Sequence, residues 1–282
     1  MALPSFYIPS YTAGQQELTL DEDNSRHVVQ VLRMKPGEPV LLTDGRGHLL
    51  EGEITDAHKK QCRVAIRATQ TIAPLSTNVT IAISPLKNAS RFEWFLEKAT
   101  EIGVSTIIPV ICDRTERQSI RADRLRNILV SAMLQSQQAW LPVLTEPQPF
   151  SQVITQGGSP PAGAQTRNPL PVTRPGDAAG TAAEAAGLRL IAHCLEAPRA
   201  TASLAGVVRE RLIASPATIH PSAPNATIAG PRALILIGPE GDFSAKEVET
   251  ALAAGYLPVS LGQNRLRTET AGVVAATLLC IK

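Results

Sequence analysis

Near the end of the chain, Gly238-Pro239-Glu240-Gly241 and the run from Gly262 to Glu269 gather residue types that could hold a ligand. The glycines allow positive φ and close backbone approach, and Pro239 fixes one φ between two of them. Around them stand polar groups that no regular element requires: Glu240, Asn264, Arg265, Arg267 and Glu269. The chemistry open to such a set is narrow. The sequence has no G-x-S-x-G elbow, no H-E-x-x-H motif, no Walker lysine and no G-x-G-x-x-G loop. Its four cysteines, Cys62, Cys112, Cys194 and Cys280, are scattered singly without a C-x-x-C pair, so neither a metal site nor a disulfide framework is indicated. What remains is a glycine-loop pocket with few ionisable groups, suited to holding a ready-made reactive cofactor.

The elements that must position these residues are legible nearby. Leu234-Ile235-Leu236-Ile237 is a continuous aliphatic run, the pattern of a parallel strand buried on both faces. Ser244-x-x-Glu247 has capping-box spacing, so a helix should start at Ala245, with Gly255 placed to stop it. Tyr256 to Leu261 reads as a second strand, and Thr268 as the cap of a final helix that is apolar nearly all round. Two strands thus each end in a glycine loop followed by a helix start, where open α/β sheets bind ligands. A third strand, Leu188 to Ala192, ends at His193-Cys194-Leu195-Glu196, which adds His193 and Glu196 as candidate ligand contacts.

Upstream, Thr80 to Ser84 and Val104 to Ile111 read as further strands of the same sheet. Between them lies a helix with Phe92, Phe95, Leu96, Ala99 and Ile102 on one face, started by the Ser90-x-x-Glu93 spacing and stopped at Gly103. The charged loop Cys112 to Arg117 precedes another helix with Leu125, Ile128, Leu129, Ala132 and Met133 on its apolar face. Strand and helix alternate, so the fold class is α/β with a parallel sheet. Residues 151–187 and 214–230 are dense in Gly, Pro and Ala and are expected to be disordered insertions.

Residues 1–72 are expected to form a separate small β-barrel of short strands: Val40 to Leu42, His48 to Ile54 and the alternating Gln61 to Arg67. A short helix capped at Asn24 or Ser25 should place Val28, Val31 and Leu32 on one face. The net charge of +2 and pI near 8.4 demand no anionic partner, yet this segment concentrates Arg26, Arg33, Lys35, Arg63 and Arg67. Such a patch suits a phosphate backbone, or is simply a barrel exterior that faces water, the commoner state of a charge run. The opening MALPSFYIPS lacks a basic segment followed by an apolar run, and no apolar run reaches about 18 residues, so a cytoplasmic protein without membrane association is expected.

Read together, IGPEGDFS, Leu261-Gly262 and Leu266-Arg267-Thr268-Glu269-Thr270-Ala271 resemble the motifs of SPOUT-class methyltransferases. The combination is close to that of RsmE-type 16S rRNA (uracil-N3)-methyltransferases. The segments His27 to Gly37 and Arg91 to Val104 agree with it, so the resemblance reaches both ends and the middle of the chain. It implies an N-terminal PUA-like RNA-binding barrel and a C-terminal domain, residues 73–282, with a trefoil knot. It also implies a homodimer acting on 16S rRNA or the small ribosomal subunit, and S-adenosylmethionine as cofactor, with no metal.

Carried across, the cofactor contacts fall on Leu195, Glu196, Ile237, Gly238, Pro239, Glu240, Gly241, Leu261, Gly262, Leu266, Thr268, Thr270 and Ala271. Arg267 and Arg114 are the candidates for stabilising a uracil anion, and Glu269 for accepting its proton, orienting an arginine or only favouring the helix N-terminus. Arg91 and Lys98 join the RNA-facing set. The segment Gln135 to Trp140 lacks the arginine that relatives carry there, so it is assigned no RNA contact. The reading from another class is an RNA-binding assembly factor without catalysis; a neighbouring one is a SPOUT enzyme for another RNA nucleotide.

Overall fold

The structure, a computed structural model, describes residues 3–74, 78–116, 120–156, 187–194, 201–213 and 232–281. The chain divides into two units, Met1–Pro74 with Val130–Leu141, and Leu75–Leu129 with Pro142–Lys282.

The first unit contains β1 (Ser5–Tyr7), β2 (Glu17–Thr19), α1 (Glu22–Arg26), β3 (Pro39–Thr43), β4 (His48–Asp56) and β5 (Arg63–Thr71). The strands order as β1-β3-β4-β5-β2, with β1 parallel to β3 and every other pairing antiparallel. The alternation of β5 works as expected: Cys62 and Val64 are fully buried and Ile66 packs on the same core, while Arg63 and Arg67 are exposed. The short helix differs from expectation. Asp21 caps it, its carboxylate accepting from the Asn24 amide at 2.8 Å, so Asn24 and Ser25 lie inside the helix. A π-helical turn, His27–Val31, follows and breaks the helical register. Val28 is therefore buried while Val31 is 67% and Leu32 42% exposed.

The second unit is built on a sheet whose described pairings are all parallel. Its elements are β6 (Asn78–Ile83), α2 (Ala89–Ile102), β7 (Thr106–Ile111), the part of α3 (Ala122–Gln135) up to Leu129, β8 (Val143–Leu144), β9 (Gln148–Pro149) and α4 (Phe150–Gln156). They continue through β10 (Leu188–Ala192), β11 (Ala202–Ser203), α5 (Leu204–Val208), β12 (Arg232–Ile237), α6 (Ala245–Ala253), β13 (Leu257–Ser260) and α7 (Thr268–Cys280). The order is β11-β13-β10-β12-β6-β7-β8, with β9 also on β7. The aliphatic run of β12 is central and buried, paired with β6 on one side and β10 on the other.

Three boundary expectations change. Asn88 caps α2, accepting from the Ser90 amide at 3.0 Å, so Ser90 is helical; Gly103 ends the helix at φ 100° as expected. The stretch expected to be disordered from residue 151 begins as helix α4, because Phe150, Val153 and Ile154 supply a buried face. Residues 157–186 and 214–231 lie outside the described residues. Finally, Arg267 and not Thr268 is the N-cap of α7, and it makes no side-chain capping bond. No helix among the described residues is long and apolar enough to cross a membrane.

Candidate functional site

Sheet order decides where the site forms. The strand β10 lies between β12 and β13, with Ala192 level with Ile237 on one side and Val259 on the other. Three strand ends that are far apart in sequence therefore finish side by side. The loops leaving them enclose a cavity of about 400 Å³, within the range of small-molecule sites.

Each loop contributes a wall. From β10 come Ala192, His193 and Cys194, and from β12 come Ile237, Gly238, Pro239, Glu240 and Asp242. The third wall runs from Val259 through Ser260, Leu261 and Gly262 to Asn264, Arg265 and Leu266. Arg267, Thr268 and Ala271 at the start of α7 close it, and Arg91 reaches in from α2. The expected contacts Ile237, Gly238, Pro239, Glu240, Leu261, Gly262, Leu266, Thr268 and Ala271 are thus brought together, along with Arg267. Gly241 and Thr270 do not line this cavity, and Leu195 and Glu196 lie outside the described residues.

The loops are held by hydrogen bonds that the sequence pattern hides. Thr268 is buried, and its hydroxyl, expected as a cap, instead donates to the Gly238 carbonyl at 3.0 Å, tying α7 to the loop after β12. Asp242, at φ 63°, accepts from the Cys194 amide at 2.8 Å through Oδ2 and from the Phe243 amide at 2.8 Å through Oδ1. One carboxylate thereby joins two walls. Gly238 is tightly packed, since a Cβ there would sit 3.1 Å from the buried Phe243 ring. Gly262 adopts φ 142° facing open space, and its carbonyl and amide both bond the Ser260 hydroxyl.

Behind the 238–243 loop stands the charged loop after β7. Arg114 donates through Nη1 to the Gly241 carbonyl at 2.6 Å and the Phe243 carbonyl at 3.4 Å. Its aliphatic stem packs 3.3 Å from where a Gly241 Cβ would be. Asp113 accepts from the Ser244 hydroxyl at 2.6 Å, while its own amide donates to Glu247 at 2.9 Å. The expected capping box of α6 is complete, with Glu247 accepting from the Ser244 amide at 2.8 Å. Burial, reinforced by the Glu247 charge, pushes the Cys112 thiol far above its usual value. A thiol so suppressed is no nucleophile.

Two polar groups at the site lack partners. Both ring nitrogens of His193 are buried with no hydrogen bond among the described residues, and so is Oε2 of Glu269. Glu269 is 7% exposed, and its Oε1 lies 3.7 Å from Arg91 Nε. It opens, with Thr270, not into the main cavity but into an adjoining recess bounded by Ser90, Arg91, Trp94 and Arg267. No group of three or more His, Cys, Asp or Glu among the described residues is arranged to hold a metal ion.

The basic set divides. Arg26 pairs with Glu22 and Asp23, Arg67 with Glu53, and Lys98 with Glu97 and Glu101. Arg33, Lys35 and Arg63 are exposed with no ion pair among the described residues, and Arg33 takes the left-handed conformation at φ 55°. Asp242 is the contributor that sequence reasoning missed. Only a non-glycine residue at positive φ beside a glycine loop marks it, and sequence does not display φ.

Residues 73–160 and 178–280 match the RNA methyltransferase domain, and residues 20–67 match the RNA methyltransferase PUA domain. A crystal structure of a probable rRNA-methyltransferase from Porphyromonas gingivalis is 38% identical, covers 98% of each chain and superposes with a TM-score of 0.73. The ribosomal RNA small subunit methyltransferase E of Neisseria gonorrhoeae, solved bound to S-adenosyl methionine, is 25% identical over 98% of this chain and 95% of its own, with a TM-score of 0.70. A protein of Synechocystis sp. named ribosomal RNA small subunit methyltransferase E is 28% identical across 92% of this chain and 71% of its length. The match extends through β6 to α4 and from β10 to the end of α7, the elements that build the cavity. The chain belongs to the RNA methyltransferase family.

Proposed function

We propose that the protein transfers a methyl group from S-adenosylmethionine to N3 of a uridine in 16S rRNA. The observation that carries the proposal is the cavity at the ends of β10, β12 and β13, in a chain of this family. Its residues fit the cofactor. The two unpartnered nitrogens of His193 call for a polar ligand, and the open glycine backbone at Gly262 admits one closely. In this reading Ile237 to Glu240, Leu261, Gly262, Leu266, Thr268 and Ala271 hold it, with Leu195 and Glu196 assigned by resemblance alone. When bound, S-adenosylmethionine supplies a methyl group activated by its sulfonium.

The protein's own residues do the rest. N3 of uracil lies on the pairing edge and carries a proton, so the base must be unpaired and then deprotonated. Loss of that proton leaves negative charge over N3 and the flanking carbonyl oxygens. The Arg267 guanidinium, on the rim of the cavity, stabilises that charge. Arg114 acts one step back, fixing the 238–243 loop through its carbonyls. Arg33, Lys35 and Arg63 contribute phosphate contacts on the PUA unit. Resemblance to the family supports a PUA domain over residues 1–72, a methyltransferase domain over 73–282, a homodimer and a cytoplasmic location.

Titration calorimetry with S-adenosylmethionine is the test. Saturable binding, with label transferred from methyl-labelled cofactor to 16S rRNA, is expected. A protein that binds rRNA but neither binds the cofactor nor transfers label would be the assembly factor instead.

A further inference from the structure

The recess next to the cofactor cavity has a volume of about 570 Å³ and is open to solvent. Arg91 and Arg267 line both spaces, so the two share a wall. Two features set the recess apart. Trp94 is 44% exposed there, although its neighbours on α2, Phe92 and Phe95, are buried in the core. A large indole left at the surface beside arginines is a stacking platform in want of a partner. Glu269 is the second feature. It is nine-tenths buried, its Oε1 lies in a loose 3.7 Å contact with Arg91, and its Oε2 has no partner among the described residues. A buried carboxylate oxygen without a donor is costly, so the arrangement asks for an N–H from outside.

We infer that this recess receives the extruded uracil ring, with Trp94 stacking on its face and Glu269 accepting from its N3–H. The inference rests on the methyltransferase reading and gives that reading its acceptor site. Uracil's pairing edge presents acceptor, donor, acceptor: O4, N3–H and O2. The recess offers what matches, one carboxylate acceptor and the guanidinium donors of Arg91 and Arg267. Cytosine offers a lone pair at N3, which would face the carboxylate without a proton between them. The recess therefore selects uracil by hydrogen-bond polarity. Glu269 also takes the N3 proton; the electron pair of that N–H bond stays on N3, and the carboxylic acid formed returns its proton to water. Arg91, in contact with Glu269 and facing both spaces, positions that carboxylate.

The sequence has two tryptophans, Trp94 and Trp140, so Trp140→Phe in the full chain leaves Trp94 as sole reporter. Short single-stranded oligonucleotides with one uridine or one cytidine are titrated against its fluorescence. The uridine strand should quench and bind about tenfold more tightly than the cytidine strand, the scale of one good base-edge contact. Glu269→Gln should erase the preference, because an amide can present either polarity. Trp94→Ala should weaken uridine binding about tenfold and Trp94→Phe restore most of it, both read from the anisotropy of a dye-labelled uridine oligonucleotide because these variants lack the indole reporter. Cofactor affinity by calorimetry should stay within about twofold in all three, since neither residue lines the cofactor cavity.

Uridine affinity and methyl transfer unchanged in Trp94→Ala and Glu269→Gln would overturn the acceptor site and leave the methyltransferase reading standing. Uridine-selective quenching without cofactor binding would do the reverse. Loss of a dimer in Trp94→Ala at unchanged uridine affinity would assign the indole to a contact between chains and overturn its role here.

Discussion

Arg114 and Arg267 both follow strand ends, yet their guanidiniums face different tasks. Arg114 is committed to two backbone carbonyls of the 238–243 loop, whereas Arg267 borders the cavity. Their alanine variants should separate accordingly. Arg114→Ala should weaken cofactor binding about fivefold, the scale of about 1 kcal/mol passed on from the lost loop hydrogen bonds, measured by calorimetry. Arg267→Ala should lower the single-turnover rate at saturating cofactor about a hundredfold, as for a group that meets charge only in the transition state. From sequence the two arginines looked equivalent, because nothing in the spacing tells a guanidinium aimed at a ligand from one aimed at a carbonyl. A further residue sets a pH limit. Tyr256 is buried, and desolvation raises its phenol from 10 to about 12, partly offset by Arg189. The unfolded chain therefore loses this proton first. The stability it protects is full below pH 10 and declines as pH rises through about 12. Thermal melts across that window should fall less steeply for Tyr256→Phe than for wild type.

Single elements were read well wherever pattern and packing agree. The aliphatic run of β12, the capping box of α6, and Gly103 as the stop of α2 all appear as expected. Errors came where a side chain found a better tertiary partner than its local one. Thr268 reads as a cap and bonds Gly238 instead, and Asp21 outcompetes Asn24 at α1. Gly272 is another position whose reason lies across the fold. In α7, a Cβ there would lie 2.6 Å from the Phe95 ring of α2 and 2.9 Å from Ile83 of β6. Phe95 is fully buried and has no room to retreat. Gly272→Ala should therefore destabilise the protein by about 1–3 kcal/mol in chemical denaturation, despite alanine's higher helix propensity. A stabilised variant would mean that the contact between α2 and α7 is loosely packed.

At the scale of the whole molecule, the fold class and the loops of the site are legible in the sequence, but the strand order that joins them is not. Alternating strands and helices announce a parallel sheet; they do not say that β10 enters between β12 and β13. That order alone aligns the ends at Ala192, Ile237 and Val259 and turns three separate loops into one cavity. The resemblance to known motifs supplied the cofactor, whereas the geometry supplied Asp242, the role of Arg114 and the second recess. The central claim is that this chain methylates N3 of a uridine in small-subunit RNA. It is tested most directly by mass-spectrometric mapping of N3-methyluridine in 16S rRNA from cells with and without the gene, and with Arg267→Ala returned. A single N3-methyluridine that disappears with the gene, returns with the wild-type protein and stays absent or sharply reduced with Arg267→Ala is the predicted result. An unchanged N3-methyluridine map would contradict the account.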